Sequence, residues 1–220
     1  MIIIRDALSK DNINYILDLL DKVEWKEGFS IHDHYKKEVK QNKELRARDG
    51  TSVNEAIQFI NKNVYSSKLF QEEAFPKLFV RPRFNLSENG GFYGPHSDAG
   101  VMPGTTPVRS DLSSTLWLTE DYEGGELIIQ TPEGEKSYKE PAGSLILYPC
   151  QYVHETRPVT KGQRICCITW IQSFIRDHNK RLFMNQFLKF SLKLKEQQGF
   201  SDLYIESTSL FNNLLRDMIE

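Results

Sequence analysis

Cysteine is scarce in this chain: 220 residues contain three, Cys150, Cys166 and Cys167. An odd number with two adjacent makes no disulfide framework, and neighbours on a strand point to opposite faces, so a reducing compartment is expected. No C-x2-C spacing occurs, which argues against a thiolate zinc site. Long apolar runs are missing as well. Nothing approaches the ~18 apolar residues of a membrane span, and Met1-Ile2-Ile3-Ile4-Arg5-Asp6 is too short, and lacks the basic leader, to resemble a secretory signal. A soluble, cytoplasmic protein with no membrane partner is expected. Charge of one sign is also lacking, since 28 basic and 30 acidic residues leave a net charge of −2. That balance gives no global pull towards nucleic acid, and no nucleic-acid partner is expected. The basic patch from Arg176 to Arg181 reads as a solvated helix start. There is no internal repeat and no low-complexity segment.

What is present is a change of period along the chain. Ser9 is placed to cap a helix that carries Ile13, Ile16, Leu17, Leu20 and Val23 on one face. Ser52-Val53-Asn54-Glu55 reads as a capping box, followed by a stripe of Ala56, Ile57, Ile60 and Val64. From about Leu78 the pattern becomes strand-like. Strands are predicted over Leu78–Phe84, Ser113–Thr119, Gly125–Gln130, Ser137–Lys139, Leu145–Tyr148 and Arg164–Phe174. Thr131-Pro132-Glu133-Gly134, Pro141-Ala142-Gly143 and Lys161-Gly162 supply turns, and strands so closely spaced favour an antiparallel jelly roll over a βαβ fold. In the last strand Arg164, Cys166, Ile168, Trp170 and Gln172 share one face and Ile165, Cys167, Thr169 and Ile171 the other. Both look buried. Beyond Ile175 helical spacing returns with Leu182, Phe183, Phe187, Phe190 and Leu194, a stop at Gly199, and a last helix capped by Ser201.

The residues that carry chemistry are His96, Asp98, His154 and Arg164. His96 and Asp98 sit two apart in Gly94-Pro95-His96-Ser97-Asp98, so on an extended strand they project to the same side. His154 follows 56 residues after Asp98, in Tyr152-Val153-His154-Glu155. That gap holds about four strands of ordinary length with their turns. Two imidazoles and one carboxylate can fill one face of an octahedral metal and leave the opposite positions open, which is the ligand set of non-haem Fe(II) oxygenases. Arg164 lies ten residues after His154. At the start of an apolar strand its guanidinium needs an anionic partner, and it can grip a carboxylate through two parallel hydrogen bonds. An exposed strand-edge Arg is the plainer reading, and the metal triad argues against it. Gly100 to Val108, rich in Gly, Pro and Thr, reads as a mobile loop beside the open metal positions, either a lid or a plain connection. Arg109 and Asp111 next to it either contact substrate or pair with each other, and pairing is favoured.

Several stretches resemble a known family: Tyr93 to Asp98, Arg109 to Leu118, Tyr122-Glu123-Gly124-Gly125-Glu126-Leu127, Pro141 to Pro149, His154 to Arg164, and Trp170 to Asp177. Together they are similar to 2-oxoglutarate and Fe(II)-dependent dioxygenases of the prolyl-4-hydroxylase-like group, most closely the bacterial PKHD-type hydroxylases. The resemblance implies an α+β chain with a mainly β core, a double-stranded β-helix (jelly roll) with N-terminal covering helices and a C-terminal helical extension. It implies a dioxygenase domain over 1–177, with helices 1–75 packed on a core of 76–177, and an extension over 178–220. Fe(II) would be held by His96, Asp98 and His154, and the far carboxylate of 2-oxoglutarate by Arg164. Ascorbate would be an auxiliary cofactor. Trp117 and Trp170 fall where the group lines the cosubstrate pocket. The group's Tyr nine or ten residues before the first His is replaced by Leu86 and Ser87. Phe84, in Arg83-Phe84, looks like the family's Arg-Tyr with a two-residue insertion, so its hydroxyl is missing and either Tyr93, a Ser or a Thr serves or the contact is lost.

The implied reaction is hydroxylation of an unactivated C–H bond with O2, giving succinate and CO2. The substrate is a prolyl or other peptide residue, or a small molecule. Asp98 favours hydroxylation over halogenation, because related halogenases give up the carboxylate. A cupin-like metal-binding or regulatory module without turnover is the alternative. The missing upstream Tyr favours it, and Arg164 argues against it. A nucleic-acid demethylase is disfavoured by the absence of a basic stripe with interleaved aromatics. The aromatic stripe of the C-terminal helices packs within a monomer or pairs two copies into a homodimer.

Overall fold

The computed structural model describes residues 1–28 and 39–219. Ser9 caps helix α1 (Lys10–Leu20), its hydroxyl accepting from the Asn12 amide at 3.3 Å, and Ile13, Ile16, Leu19 and Leu20 are buried. Helix α2 (Thr51–Ile60) buries Val53, Ala56, Ile57 and Ile60, the stripe its spacing predicts. Its capping box does not form. The helix starts two residues early with Gly50 at the cap and no side-chain cap bond. Glu55 is used elsewhere, accepting from the Tyr15 hydroxyl of α1 at 2.5 Å, so an interhelical bond replaces a local one. A π-helical turn (Asn61–Tyr65) leads to α3 (Lys68–Ala74), which Ser67 caps.

In chain order the strands are β1 (Ile2–Ile4), β2 (Lys26–Glu27), β3 (Lys40–Gln41), β4 (Lys43–Arg46), β5 (Pro76–Phe79) and β6 (Arg83–Ser87). They continue with β7 (Phe92–His96), β8 (Val101–Met102), β9 (Val108–Arg109), β10 (Leu112–Trp117), β11 (Tyr122–Gly124) and β12 (Leu127–Thr131). The last are β13 (Gly134–Tyr138), β14 (Leu145–Pro149), β15 (His154–Thr156), β16 (Val159–Gly162) and β17 (Arg164–Ser173). The large sheet runs β1-β14-β10-β17-β6-β4-β2, with β5 also on β17. The facing sheet runs β13-β12-β15-β7-β3, and β11-β16 and β8-β9 form short ladders. Every pairing is antiparallel. Two facing antiparallel sheets make the double-stranded β-helix.

Strand alternation divides the large sheet into two environments. Leu112, Leu116, Phe84, Leu86, Leu145, Leu147, Ile165, Cys167 and Ile171 face α1 and α2 and share one core with the helical stripes. Trp117, Ile146, Tyr148 and Cys166 face inward and meet Tyr122, Leu127, Ile129 and Val159. Both faces of β17 are therefore buried, as its sequence predicts. Each fully buried Leu, Ile or Phe contributes about 1.5–3 kcal/mol, which is what fixes the helices to the sheet.

Several predicted boundaries move, each for a local reason. The strand expected over Leu78–Phe84 is two strands: Val80 still donates its amide to the Trp170 carbonyl of β17 at 2.9 Å, but Pro82 has no amide to donate and the ladder is interrupted there. Ile171 lies opposite Phe79 and Ile168 opposite Arg83, so β6 is displaced by one residue in register from β5. The strand expected from Gly125 begins at Leu127, since Gly124 and Gly125 take φ of +74° and +68°, which only glycine adopts cheaply. The hairpin β12–β13 closes between Thr131 and Gly134 over the predicted Pro132-Glu133 turn. Gly100 to Val108 is not irregular throughout: Val101 pairs with Arg109 and Met102 with Val108.

Asp177 caps α4 (His178–Gln198) and Ser201 caps α5 (Asp202–Met218). Ile175, Met184 and Phe211 form their shared core, with Phe187, Leu214 and Leu215 against it. Phe183 and Phe190 stay about half exposed. Arg181 departs from the expected solvated patch. It is 3 % exposed, and its guanidinium donates to the Ile175 carbonyl at 2.7 Å, because the first turn of α4 folds back over the end of β17. No helix among the described residues is long and apolar enough to cross a membrane.

Phe84→Ala is expected to lower unfolding free energy by about 3–5 kcal/mol in urea denaturation, since it empties a fully buried site between sheet and helices. A loss under about 1 kcal/mol would contradict this placement.

Candidate active site

β7 ends at His96, and β15 starts at His154 directly opposite it in the antiparallel ladder. Register alone therefore brings together two imidazoles that are 58 residues apart. Their ring centroids are 4.3 Å apart. Asp98 lies just past the end of β7, so strand alternation reaches only to His96 and the following turn delivers the carboxylate. Its Oδ2 is 3.9 Å from His154 Nε2, and one ligand atom from each of the three residues falls within 4.8 Å of the others. His96 Nδ1 is 2.9 Å from the Gly94 carbonyl and His154 Nδ1 3.0 Å from the Tyr152 carbonyl. These bonds leave both Nε2 atoms for a metal, the orientation that ligating histidines use. Burial, reinforced by neighbouring His154, lowers His96 to about 3, so its imidazole is neutral and able to ligate. Asp98 Oδ2 is buried and has no hydrogen-bond partner among the described residues. An N2O donor set with one side open fits Fe(II).

The triad opens onto a cavity of about 510 Å³ between the two sheets. Room for it comes from small or polar inward residues at the middle of the large sheet, Ser113 and Thr115 on β10 and Asn85 on β6. A wider groove of about 930 Å³ lies between the β12–β13 turn and the start of α4, and none of the triad lines it. Tyr93 lines the cavity, its ring stacked on His96 at 3.6 Å between centroids. Trp170 lines it from β17, with the Arg83 guanidinium 4.4 Å above its ring.

Arg164 enters from β17 and is 4 % exposed. No acidic side chain among the described residues forms a salt bridge with it. Its Nε, Tyr122 Oη and Trp117 Nε1 are all buried without a hydrogen-bond partner among the described residues. Burial pushes the Tyr122 phenol up to about 12, with the adjacent Arg164 guanidinium acting the other way. The Arg164 stem passes against Gly125, where a Cβ would come within 2.9 Å of Arg164 Cδ and 3.0 Å of Tyr122 Cε2. A buried guanidinium beside a phenol and an indole N–H has the chemistry to receive a carboxylate.

Two residues expected at the pocket are not on its wall. Phe84 is fully buried on the helix side of β6, because alternation sends Arg83 and Asn85 inward and Phe84 outward. Trp117 is fully buried in the inner core beneath the cavity, and only its indole nitrogen is turned towards the Tyr122 cluster. Tyr122, Tyr148, Lys40, Arg83 and Asn85 were not read as site residues. Tyr122 stood inside a family-like block, and Arg83 and Asn85 were recoverable from the alternation of β6. Tyr148, edge-on to His154 at 5.1 Å, also stood inside a family-like block, Pro141 to Pro149, and on a predicted strand. Arg109 and Asp111 pair with each other at 2.8 and 3.0 Å, and Asp111 also accepts from the Ser173 amide, so they brace β9 against β17.

The profile of the 2OG-Fe(II) oxygenase superfamily matches residues 82–172. A PKHD-type hydroxylase of Herminiimonas arsenicoxydans is 36 % identical over 221 residues, covering 98 % of both chains. The chain belongs to the PKHD-type hydroxylases. A second member, from Nitrobacter winogradskyi, is 33 % identical over 99 % of this chain and 98 % of its own. Among solved structures, a Pseudomonas putida prolyl-4-hydroxylase superposes with a TM-score of 0.55 at 17 % identity, over 78 % of this chain and 91 % of that one. A Trichoplax adhaerens prolyl hydroxylase, solved with a hypoxia-inducible-factor peptide fragment, gives 0.56 at 14 % identity over 83 % and 86 %. These likenesses establish the jelly-roll fold. Membership makes this PKHD-type hydroxylase an enzyme of the Fe(II) and 2-oxoglutarate class.

Mn(II) titration followed by electron paramagnetic resonance is expected to show one site. His96→Ala, Asp98→Ala and His154→Ala should each weaken it by more than about 100-fold, beyond the cost of losing an outer-sphere partner. Three variants that bind like the parent would dissolve the proposed centre.

Proposed function

We propose that this PKHD-type hydroxylase converts an unactivated C–H bond to C–OH, consuming 2-oxoglutarate and O2 and releasing succinate and CO2. The observation that carries the reading is Arg164, buried without an acid and facing the same cavity as the His96, Asp98 and His154 triad. A buried guanidinium is tolerated when an anion completes it, and 2-oxoglutarate offers a carboxylate at the end remote from the metal. Bound ferrous iron and 2-oxoglutarate supply the oxidation of the C–H bond by O2.

The chain's own residues then have defined tasks. His96, Asp98 and His154 hold Fe(II) on one face and leave the cavity side for cosubstrate and O2. Arg164, with Tyr122 and the Trp117 indole N–H, holds the distal carboxylate and so sets the direction of the cosubstrate. Tyr122 takes the part of the hydroxyl that Phe84 cannot provide. Tyr93 and Trp170 wall the cavity, exclude water and keep the substrate carbon near the metal. Asp98 keeps its coordination position filled, which directs the reaction to hydroxylation. Ascorbate serves as an auxiliary reductant, and three free buried cysteines suit a cytoplasmic setting. The substrate is a prolyl or other peptide residue, or a small molecule with a comparable C–H bond. The short β8–β9 ladder, which brings Met102 and Pro103 to the cavity, acts as a lid. A metal-binding module without turnover is the second reading, favoured by the lack of a Tyr at positions 86 and 87.

Succinate formation separates the two readings. Anaerobic protein with Fe(II) and 2-oxoglutarate is expected to release succinate after O2 is added, and none at all would favour the module. Arg164→Ala should weaken 2-oxoglutarate binding by roughly 10–150-fold, the range for losing charge-assisted hydrogen bonds, while Mn(II) still binds. Gly125→Ala should weaken it by about tenfold or more through displacement of the Arg164 stem. Calorimetry on the Mn(II) form reads both, and unchanged affinity in Arg164→Ala would remove the clamp.

A further inference from the structure

We propose that the substrate carries a carboxylate, held at the cavity mouth by the Arg83 guanidinium and the Trp170 indole N–H. The inference rests on the hydroxylase reading above and names the class of substrate for the same site.

Arg83 and Arg164 stand on one inner wall. In the β6–β17 ladder Ser87 is opposite Arg164 and Arg83 is opposite Ile168. Four residues of strand separate the two guanidinium-bearing positions, about 13 Å at ~3.3 Å per residue. 2-Oxoglutarate has one carboxylate remote from the metal, and Arg164 takes it. A five-carbon acid chelated at its other end does not also reach Arg83, so the second guanidinium serves another ligand.

The bonding around Arg83 is incomplete. Its Nη1 is 3.6 Å from Glu44 Oε2, longer than a good hydrogen bond. Glu44 is committed elsewhere, to Lys40 at 2.5 Å and Arg46 at 2.8 Å. Burial works to raise the Glu44 pKa, but Arg83, Lys40 and Arg46 hold it below the usual carboxylate range. Arg83 Nε and Trp170 Nε1 are buried donors with no partner among the described residues. A purely structural cation–π pair would leave both unsatisfied, which buried donors rarely tolerate. An anion bridging guanidinium and indole N–H satisfies them together. Asn85, beside them on β6, also has a buried unpartnered amide oxygen, which can receive a hydroxyl or N–H next to the carboxylate. At the rim, exposed Arg48 and Arg81 add positive charge on the same side, against a chain whose net charge is −2. Such a local field draws anionic ligands inward.

The test uses the full chain loaded with Mn(II) and saturating 2-oxoglutarate. It is titrated with matched pairs: N-acetylated, C-amidated Asp-Pro and Asn-Pro peptides, and free proline and N-acetylproline against prolinamide and N-acetylprolinamide. An acid should bind about tenfold or more tighter than its amide, and the preference should shrink as ionic strength rises. Preference confined to the peptides makes the anion a side chain of a polypeptide; preference confined to the free acids makes it a metabolite. Arg83→Gln should abolish the preference and Arg83→Lys restore part of it. Trp170→Phe keeps the ring under Arg83 and removes only the N–H, so it should reduce the preference even if an Arg83 variant fails to fold. Equal binding of every acid and amide, no binding of any acid, or a preference that survives Arg83→Gln overturns the proposal. 2-Oxoglutarate affinity is measured in the same preparation. Its absence in the parent protein condemns the underlying hydroxylase reading, whereas intact affinity without acid preference condemns only the anion site.

Discussion

The antiparallel pairing of β15 with β7, which sets His154 opposite His96, is the constraint on which the rest of the molecule depends. Two imidazoles on adjacent strands can converge only if both strands are held in one register, and a slip of one residue would turn one ring away. The flanking ladders hold it. β12 pairs with β15, and β3 pairs with β7, so neither ligand-bearing strand lies at an edge. The two backbone carbonyls that fix the imidazole nitrogens come from Gly94 within β7 and from Tyr152 just before β15. Register and ring orientation are thus set by the same backbone.

The large sheet solves a different problem with the same alternation. Its outer face must be apolar to bind α1 and α2, and its inner face must be polar enough to line a reaction cavity. β6, β10, β14 and β17 meet both demands with residues of period two. Phe84, Leu116, Leu145 and Ile171 look outward, while Arg83, Thr115, Tyr148 and Trp170 look inward. Hydrophobic burial on one side stabilises the sheet against unsatisfied donors on the other. Arg164 Nε, Trp117 Nε1, Tyr122 Oη, Arg83 Nε and Trp170 Nε1 make the interior expensive by itself, as expected where a site is prepared for ligands.

Glycine sets the close approach between the Arg164 stem and Tyr122. Gly124 and Gly125 turn the chain out of β11 with positive φ, and Gly125 lets the Arg164 stem and the Tyr122 ring meet without a Cβ between them. The Tyr122 to Leu127 block is therefore a geometric device that brings the Tyr122 phenol against the Arg164 stem. Chemistry that must reach one point in space can be supplied from several points in sequence.

Residue types and short spacings by themselves determined the candidate His-Asp-His set, most of the α1 and α2 stripes, the two faces of β17, the hairpin turn at Pro132-Glu133 and the helix caps at Ser9 and Ser201. Each depends on neighbours within a few residues, and local geometry is carried by local sequence. The failures share one cause. The Ser52–Glu55 box gave way to a bond with Tyr15, the Leu78–Phe84 strand broke at Pro82 to keep pairing with β17, and Arg181 was buried by the turn of α4. Phe84 was aligned by similarity, but its side chain faces the helices. Only the tertiary structure decided which strands lie side by side, and therefore that His96 meets His154, that Tyr122 meets Arg164 and that Arg83 rests on Trp170. Those contacts join positions that no local spacing connects, and the energy that selects them is burial shared by the whole sheet.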